Sequence, residues 1–182
     1  MVNTILTKDP SNEDALLQIA DIQYRKGEIN KADKAVDFFN ATKKNDPLGL
    51  YIKGILEMEK NNWKEAREYL KMAWDLTNGD NHEIIRCYGL CEYRYGNREK
   101  GMSYLKDAFA LNNKDAEVVY NLIQLYMLEY NYTKAQEMIV YFYQYHNELK
   151  VVDKTLAWYD KKIALFEKFL NTQHLFTSFL KK

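Results

Sequence analysis

A lattice of small and apolar residues returning every 34 or 35 positions constrains this chain more than any other feature. Its first row is Ala20, Ala32 and Phe39; the next are Gly54, Ala66 and Ala73, then Gly89, Gly101 and Ala108, then Ile123, Ala135 and Phe142. Within each row the second member follows the first by twelve residues and the third follows the second by seven. Each row begins four residues after an aliphatic position (Leu16, Leu50, Ile85, Val119), and another aliphatic lies four beyond its middle member (Val36, Leu70, Leu105, Ile139). Two antiparallel helices approach within about 8–10 Å only where small side chains meet, with larger ones filling the space above and below. A period of this length marks a tandem array of helix pairs, each burying its apolar face against the next.

Seven Gly and two Pro in 182 residues leave few positions that interrupt helices. The pattern predicts helices over 13–26 and 30–43, 48–60 and 63–77, 82–95 and 98–111, then 115–129 and 132–147. Gly27, Asn61 and Gly96 stand at equivalent places, where the chain needs left-handed backbone after a helix end. Tyr130 breaks that rule in the fourth pair. The length suits one domain and one cooperative core.

These residues carry a resemblance to the tetratricopeptide repeat, whose unit of about 34 residues has a Leu-Gly-like pair, a central Ala and a closing Pro. The matching features are Ile19-Ala20, Tyr88-Gly89, Ala32, Ala66, Ala135, and the closures Asp9-Pro10 and Asp46-Pro47. Lys53 departs from the pattern before Gly54, Gly101 replaces the central Ala, and the last two units lack the closing Pro. The resemblance implies an all-α, right-handed solenoid. Residues 1–12 are read as the end of a preceding repeat or an extension, 13–147 as four repeat units, and 148–182 as C-terminal capping helices.

In that C-terminal segment Leu156, Tyr159, Ile163, Phe166 and Leu170 recur at helical steps, beside a second stripe of Trp158, Leu165 and Phe169. Asn171-Thr172 is expected to interrupt the helix before an amphipathic stretch with Leu175, Phe176, Phe179 and Leu180. Covering the last repeat is the expected role, because an end unit otherwise exposes its apolar face. The final stretch is more apolar than a cap requires, so a homodimer through these helices, occupation of the groove, and contact with further sequence are the alternatives.

The resemblance further implies that the first helix of each pair lines a concave binding wall. By matching positions the wall holds Leu17, Asp21, Tyr24 and Arg25; Tyr51, Ile52, Ile55, Met58 and Glu59; Arg86, Cys87, Leu90, Tyr93 and Arg94; and Tyr120, Asn121, Gln124, Met127 and Leu128. Its tyrosines and methionines offer large contacts with polar tips, which suits an apolar or amphipathic peptide. Family members that grip an acidic C-terminal peptide use Lys, Asn and Arg at positions that here hold Leu17, Asp21, Ile52, Glu83 and Cys87. That clamp is absent, so the acidic tails of heat-shock chaperones are not expected as partners.

The implied function is an adaptor or scaffold for a protein or peptide; a small repeat chaperone shielding apolar client segments and the regulatory region of a longer protein are the alternatives. The 26 basic and 26 acidic residues balance, which argues against a sequence-independent nucleic-acid binder. The charge is uneven, since residues 150–182 hold seven Lys against three acids. No apolar run is long enough for membrane insertion, and Met1–Pro10 has no signal-peptide character. Cys87 and Cys91, four apart on one predicted helix, are ill placed to bridge one another and read as packed thiols. A cytoplasmic setting is expected. Gly96 and Gly101 have phosphate-loop spacing, but Met102-Ser103 follows where Lys and Ser or Thr are needed. His82, Cys87 and Cys91 lack a fourth ligand, and His146 and His174 lack a nucleophile arrangement. No metal, cofactor or catalytic step is therefore expected.

Overall fold

Helix starts recur with the period of the lattice. The computed structural model describes residue 9, residues 12–151 and residues 154–179, the last with side chains to 173. Its α-helices are α1 (Glu13–Arg25), α2 (Ile29–Thr42), α3 (Pro47–Glu59), α4 (Trp63–Leu76), α5 (His82–Arg94), α6 (Arg98–Leu111), α7 (Ala116–Leu128), α8 (Tyr132–Gln144) and α9 (Leu156–Phe179). The extension expected over 1–12 and the side chains of Leu175, Phe176, Phe179 and Leu180 lie outside the described residues.

The first helix of every pair is capped by the same device. Asn12, Asp46, Asn81 and Asp115 each turn a side-chain oxygen onto backbone N–H groups of the first turn, at 2.9 Å to Ala15, 2.9 Å to Leu48, 3.0 Å to Glu83 and 2.8 Å to Glu117. Such caps satisfy N–H groups that have no partner within the helix. The turn inside each pair also repeats, with positive φ at Gly27 (74°), Asn61 (63°), Gly96 (112°) and Tyr130 (56°). The next N–H then returns 2.9 Å to a carbonyl five residues back, at Gln23, Glu57, Glu92 and Tyr126. Tyr130 departs from the sequence rule and keeps the backbone all the same, because this hydrogen bond and the packing on either side dictate the turn.

All twelve lattice residues and their eight aliphatic flanks are buried. The chain does not form the single core expected from its length. It divides into two compact units, Met1–Tyr104 and Leu105–Lys182, with the division inside α6. Repeat helices touch mainly their neighbours, so the apolar interior is distributed along the chain.

In the first unit one cluster joins Ala20, Ala32, Val36 and Leu56, and another joins Ala66, Leu70, Cys87, Tyr88 and Cys91. Gly101 permits a close approach of α6 to the backbone of α5, since a Cβ there would lie 2.6 Å from the Gly89 carbonyl oxygen and 2.6 Å from the Tyr93 backbone nitrogen.

In the second unit a single cluster gathers Val119, Ile123, Ala135, Ile139 and Phe142 with Tyr159, Ile163 and Leu170 of α9. The segment before α9 is pinned by a short parallel bridge: Lys150 N–H donates to the Lys114 carbonyl at 2.7 Å, and Ala116 N–H donates to the Lys150 carbonyl at 2.9 Å. His146 Nε2 lies 2.9 Å from Asp160, tying the turn after α8 to α9. The expected interruption at Asn171-Thr172 does not occur; α9 runs unbroken through it. Neither residue breaks a helix as Pro would, and the Thr172 hydroxyl donates to the Lys168 carbonyl at 2.9 Å within the helix.

Candidate functional site

In the first unit the surface is built on α1, α3 and α5. Leu17 is half-buried on α1, while Arg25 is exposed and paired with Asp21 at 2.9 Å. The Tyr24 hydroxyl donates to Glu59 at 3.1 Å, linking α1 to α3. Tyr51, Ile52, Ile55 and Met58 are all half-buried. Their inner edges pack on core clusters: Ile52 against Ala32 and Leu56, and Ile55 and Met58 against Leu70, Cys87 and Cys91. The predicted residues of α5 divide. Leu90 is half-buried and Arg94 exposed, its guanidinium 5.6 Å from the centre of the Trp63 ring. Arg86 and Tyr93 are buried, with 9% and 6% of their surface exposed, so they belong more to the packing than to an accessible wall.

In the second unit Tyr120 is half-buried beneath α9, its ring centre 5.4 Å from those of both Trp158 and Tyr159. Gln124 donates to the Tyr120 hydroxyl at 3.1 Å. Asn121 is buried and Met127 is packed on the core cluster. The predicted set thus falls into an accessible stretch on α1 and α3 and a stretch on α7 that α9 partly covers.

Sequence reasoning missed a pocket of about 270 Å³ at the start of α3 and α5. Tyr51 lines it together with Leu48, Thr77 and Ile84, and Asp46 and Glu83 stand at the same opening. The caps at Asp46 and Asn81 set its two walls, so equivalent capping residues were the available signal.

The Lys53 departure also has a physical account. Only 8% exposed, Lys53 holds its ammonium group 2.6 Å from Asp33 and 2.7 Å from Asp37 on α2. Lys60 joins the cluster at 2.6 Å from Asp33 and 2.8 Å from Glu57, which also accepts from Asn62 at 2.7 Å. Burial pushes the Asp33 and Glu57 carboxyls up, but the hydrogen bonds outweigh it and both end below the ordinary range. Burial likewise pulls Lys53 and Lys60 down, and their carboxylate partners outweigh it and raise both. At the equivalent turn one repeat later, fully buried Glu92 accepts from Asn97 at 2.6 Å and Arg67 at 2.8 Å. These clusters fix helix positions. Among the described residues no group of three or more His, Cys, Asp or Glu side chains is placed to hold a metal ion, and no helix is long and apolar enough to cross a membrane.

No family model and no curated protein matches the sequence. Solved structures do match it. PilF of Pseudomonas aeruginosa aligns with a TM-score of 0.68 at 22% identity over 79% of this chain, which spans 65% of that protein's length. The type IV pilus biogenesis factor PilW aligns at 0.71 with 23% identity over 92% of this chain and 76% of its own. YrrB, described as a tetratricopeptide-repeat protein with an unusual peptide-binding site, aligns at 0.62 with 21% identity over 88% of this chain and 80% of its own. The fold is that of the tetratricopeptide-repeat helical solenoids.

Proposed function

We propose that the chain is a non-catalytic adaptor that captures an apolar or amphipathic peptide segment on the first helices of its repeats. The observation that carries this reading is the pocket at Tyr51, with half-buried Ile55 and Met58 one and two turns further along α3 and packed on the same core cluster. Rims of this kind offer a peptide a partly desolvated apolar seat without exposing a large greasy patch. The acidic opening at Asp46 and Glu83 favours an apolar anchor residue followed by Lys or Arg. YrrB, with its peptide-binding site on the same fold, supports the same use of the scaffold.

Peptide display against the full chain tests the reading. Enriched sequences are expected to share an apolar anchor with an adjacent basic residue, and Tyr51→Ala with Met58→Ala is expected to remove their capture while helix content stays unchanged. Capture that survives the double substitution moves the site off α3. A chaperone that shields apolar client segments would use the same residues, with the adaptable Met58 favouring it; it predicts enrichment of apolar sequences with no fixed anchor spacing.

A further inference from the structure

The outward side of α9 segregates its charge in a way that the packing of the second unit does not require. At about 3.6 residues per turn, Lys161, Leu165, Lys168 and Thr172 fall on one stripe, with Lys162 and Phe169 beside it. All six are exposed, whereas Tyr159, Ile163 and Leu170, across the helix, are buried in the core of the unit. The acids of α9, Asp160 and Glu167, are half-buried on the core side, and Asp160 is engaged by His146 at 2.9 Å. Lys161, Lys162 and Lys168 therefore share the outward stripe with no carboxylate of their own helix.

Apolar surface stands among these lysines. Leu165 is 63% exposed. Phe169, 41% exposed, places its ring 5.8 Å from that of Tyr132, which lies 6.3 Å from the ring of Tyr130 at the turn before α8. Tyr130 is itself 78% exposed, so the aromatic edge continues from α9 to that turn. Aromatic and aliphatic tips flanked by Lys suit the boundary between lipid headgroups and acyl chains: the tips enter the boundary, and the lysine stems run alongside while their ammonium groups meet phosphate. Shape points the same way, because the crest of a helix encloses no peptide and a lipid surface needs no groove. The neighbouring carboxylate of Glu137 is paired with Lys134 at 2.6 Å, so it does little to oppose an anionic partner.

We propose that the second unit docks peripherally on an anionic membrane surface through the outward stripe of α9 and the adjoining Tyr130. The helix lies on such a surface without crossing it, as its charged exterior requires. The lysines draw the unit to the headgroups, and Leu165 and Phe169 hold it there.

Co-sedimentation of the full chain with vesicles tests this. Binding is expected to phosphatidylcholine vesicles that contain phosphatidylserine and not to phosphatidylcholine alone, and it should fall as salt shortens the reach of the charges. A lysine near an anionic surface is worth about fivefold in affinity, so Lys161→Glu with Lys168→Glu should weaken binding by at least about tenfold. Leu165→Ser with Phe169→Ser should weaken it by at least about fivefold at unchanged charge. Lys34→Glu with Lys64→Glu, a change of the same net charge at exposed positions of the first unit, should leave it within about twofold of the parent. Circular dichroism should show all three variants folded. Failure to sediment with anionic vesicles would overturn the proposal, as would equal binding to neutral ones. So would equal weakening by the Lys34–Lys64 pair, which would reduce the effect to net charge. Capture of soluble poly-glutamate without vesicle binding would overturn it as well, and would assign the stripe to an acidic protein segment.

Discussion

Replacing Gly101 by Ala separates packing from propensity. The repeat pattern places Ala at this position, as Ala32, Ala66 and Ala135 do in the other rows, and Ala favours a helix interior over Gly by about 1 kcal/mol. On those grounds Gly101→Ala should stabilise the chain. The structure predicts the opposite, because the new Cβ would meet the Gly89 carbonyl oxygen, the Tyr93 nitrogen and the Tyr93 Cβ, all at 2.6 Å. Two of these are backbone atoms and cannot rotate away, so α5 and α6 must separate. Overpacking of this kind costs about 1–3 kcal/mol and can cost more. With two backbone atoms in the way the cost falls at the upper end of that range, about 2–3 kcal/mol; set against the helix gain, a net loss of about 1–2 kcal/mol follows, or roughly 2–8 °C in melting temperature for a chain of this size. Gly54→Ala is the control, since the three atoms nearest its Cβ, at 2.6, 2.9 and 3.3 Å, all belong to the Leu70 side chain, which can change rotamer where backbone cannot. Thermal and urea denaturation of the three proteins reads the difference. A Gly101→Ala protein as stable as the parent, or less affected than Gly54→Ala, would refute the reasoning from close approach.

Tyr130→Gly should raise stability by about 0.5–1 kcal/mol in urea denaturation, since left-handed backbone costs a residue with a Cβ about 1–2 kcal/mol and the freer unfolded chain returns part of that gain. Lys53→Leu, which restores the apolar residue of the repeat pattern, should destabilise by about 1–3 kcal/mol, because half-buried Asp33 is left with Lys60 alone and exposed Asp37 loses its ammonium partner. Asp33, Glu57 and Glu92 are held below their ordinary values, so their contribution is complete above about pH 4 and is lost as pH falls through the lowered folded values. Lys53 and Lys60 are held above theirs, so their contribution is complete below about pH 10 and is lost as pH rises further. Melting temperature against pH should therefore fall at both ends, and less steeply at the acid end in Lys53→Leu. Glu92→Gln should cost about 1.5–3 kcal/mol through the charged hydrogen bond with Arg67, measured by the same denaturation.

The lattice was legible because it depends on spacing alone. A helix crossing needs small residues at fixed steps, and every lattice position is buried as the steps require. Helix ends followed from the same spacing, to within a residue for most elements; the caps at Asn12, Asp46, Asn81 and Asp115, a chemical mark of the same starts, became visible only in the structure. The C-terminal helix was less legible. Asn171-Thr172 resembles a stop when read locally, yet nothing there forbids helix and the Thr172 hydroxyl bonds within it.

What remained hidden has a common cause, which is that residues of a neighbouring helix decide it. Lys53 looked like a flaw in an apolar pair, and becomes intelligible only beside Asp33 and Asp37, which lie on the preceding helix. Tyr93 looked like part of a binding wall because its position matches one. The Gly101 crossing and the Arg98 guanidinium, 5.8 Å from its ring centre, make it part of the packing instead. Substituting Tyr93 would therefore confuse lost binding with lost stability, whereas Tyr51 faces a pocket and Met58 keeps an open edge. The positions that report on a partner in such a chain are those whose burial is incomplete for want of a neighbour. By that criterion Tyr51 and Met58 on α3 are the positions to substitute, and their replacement by Ala should remove peptide capture while the thermal unfolding of the first unit stays close to that of the parent.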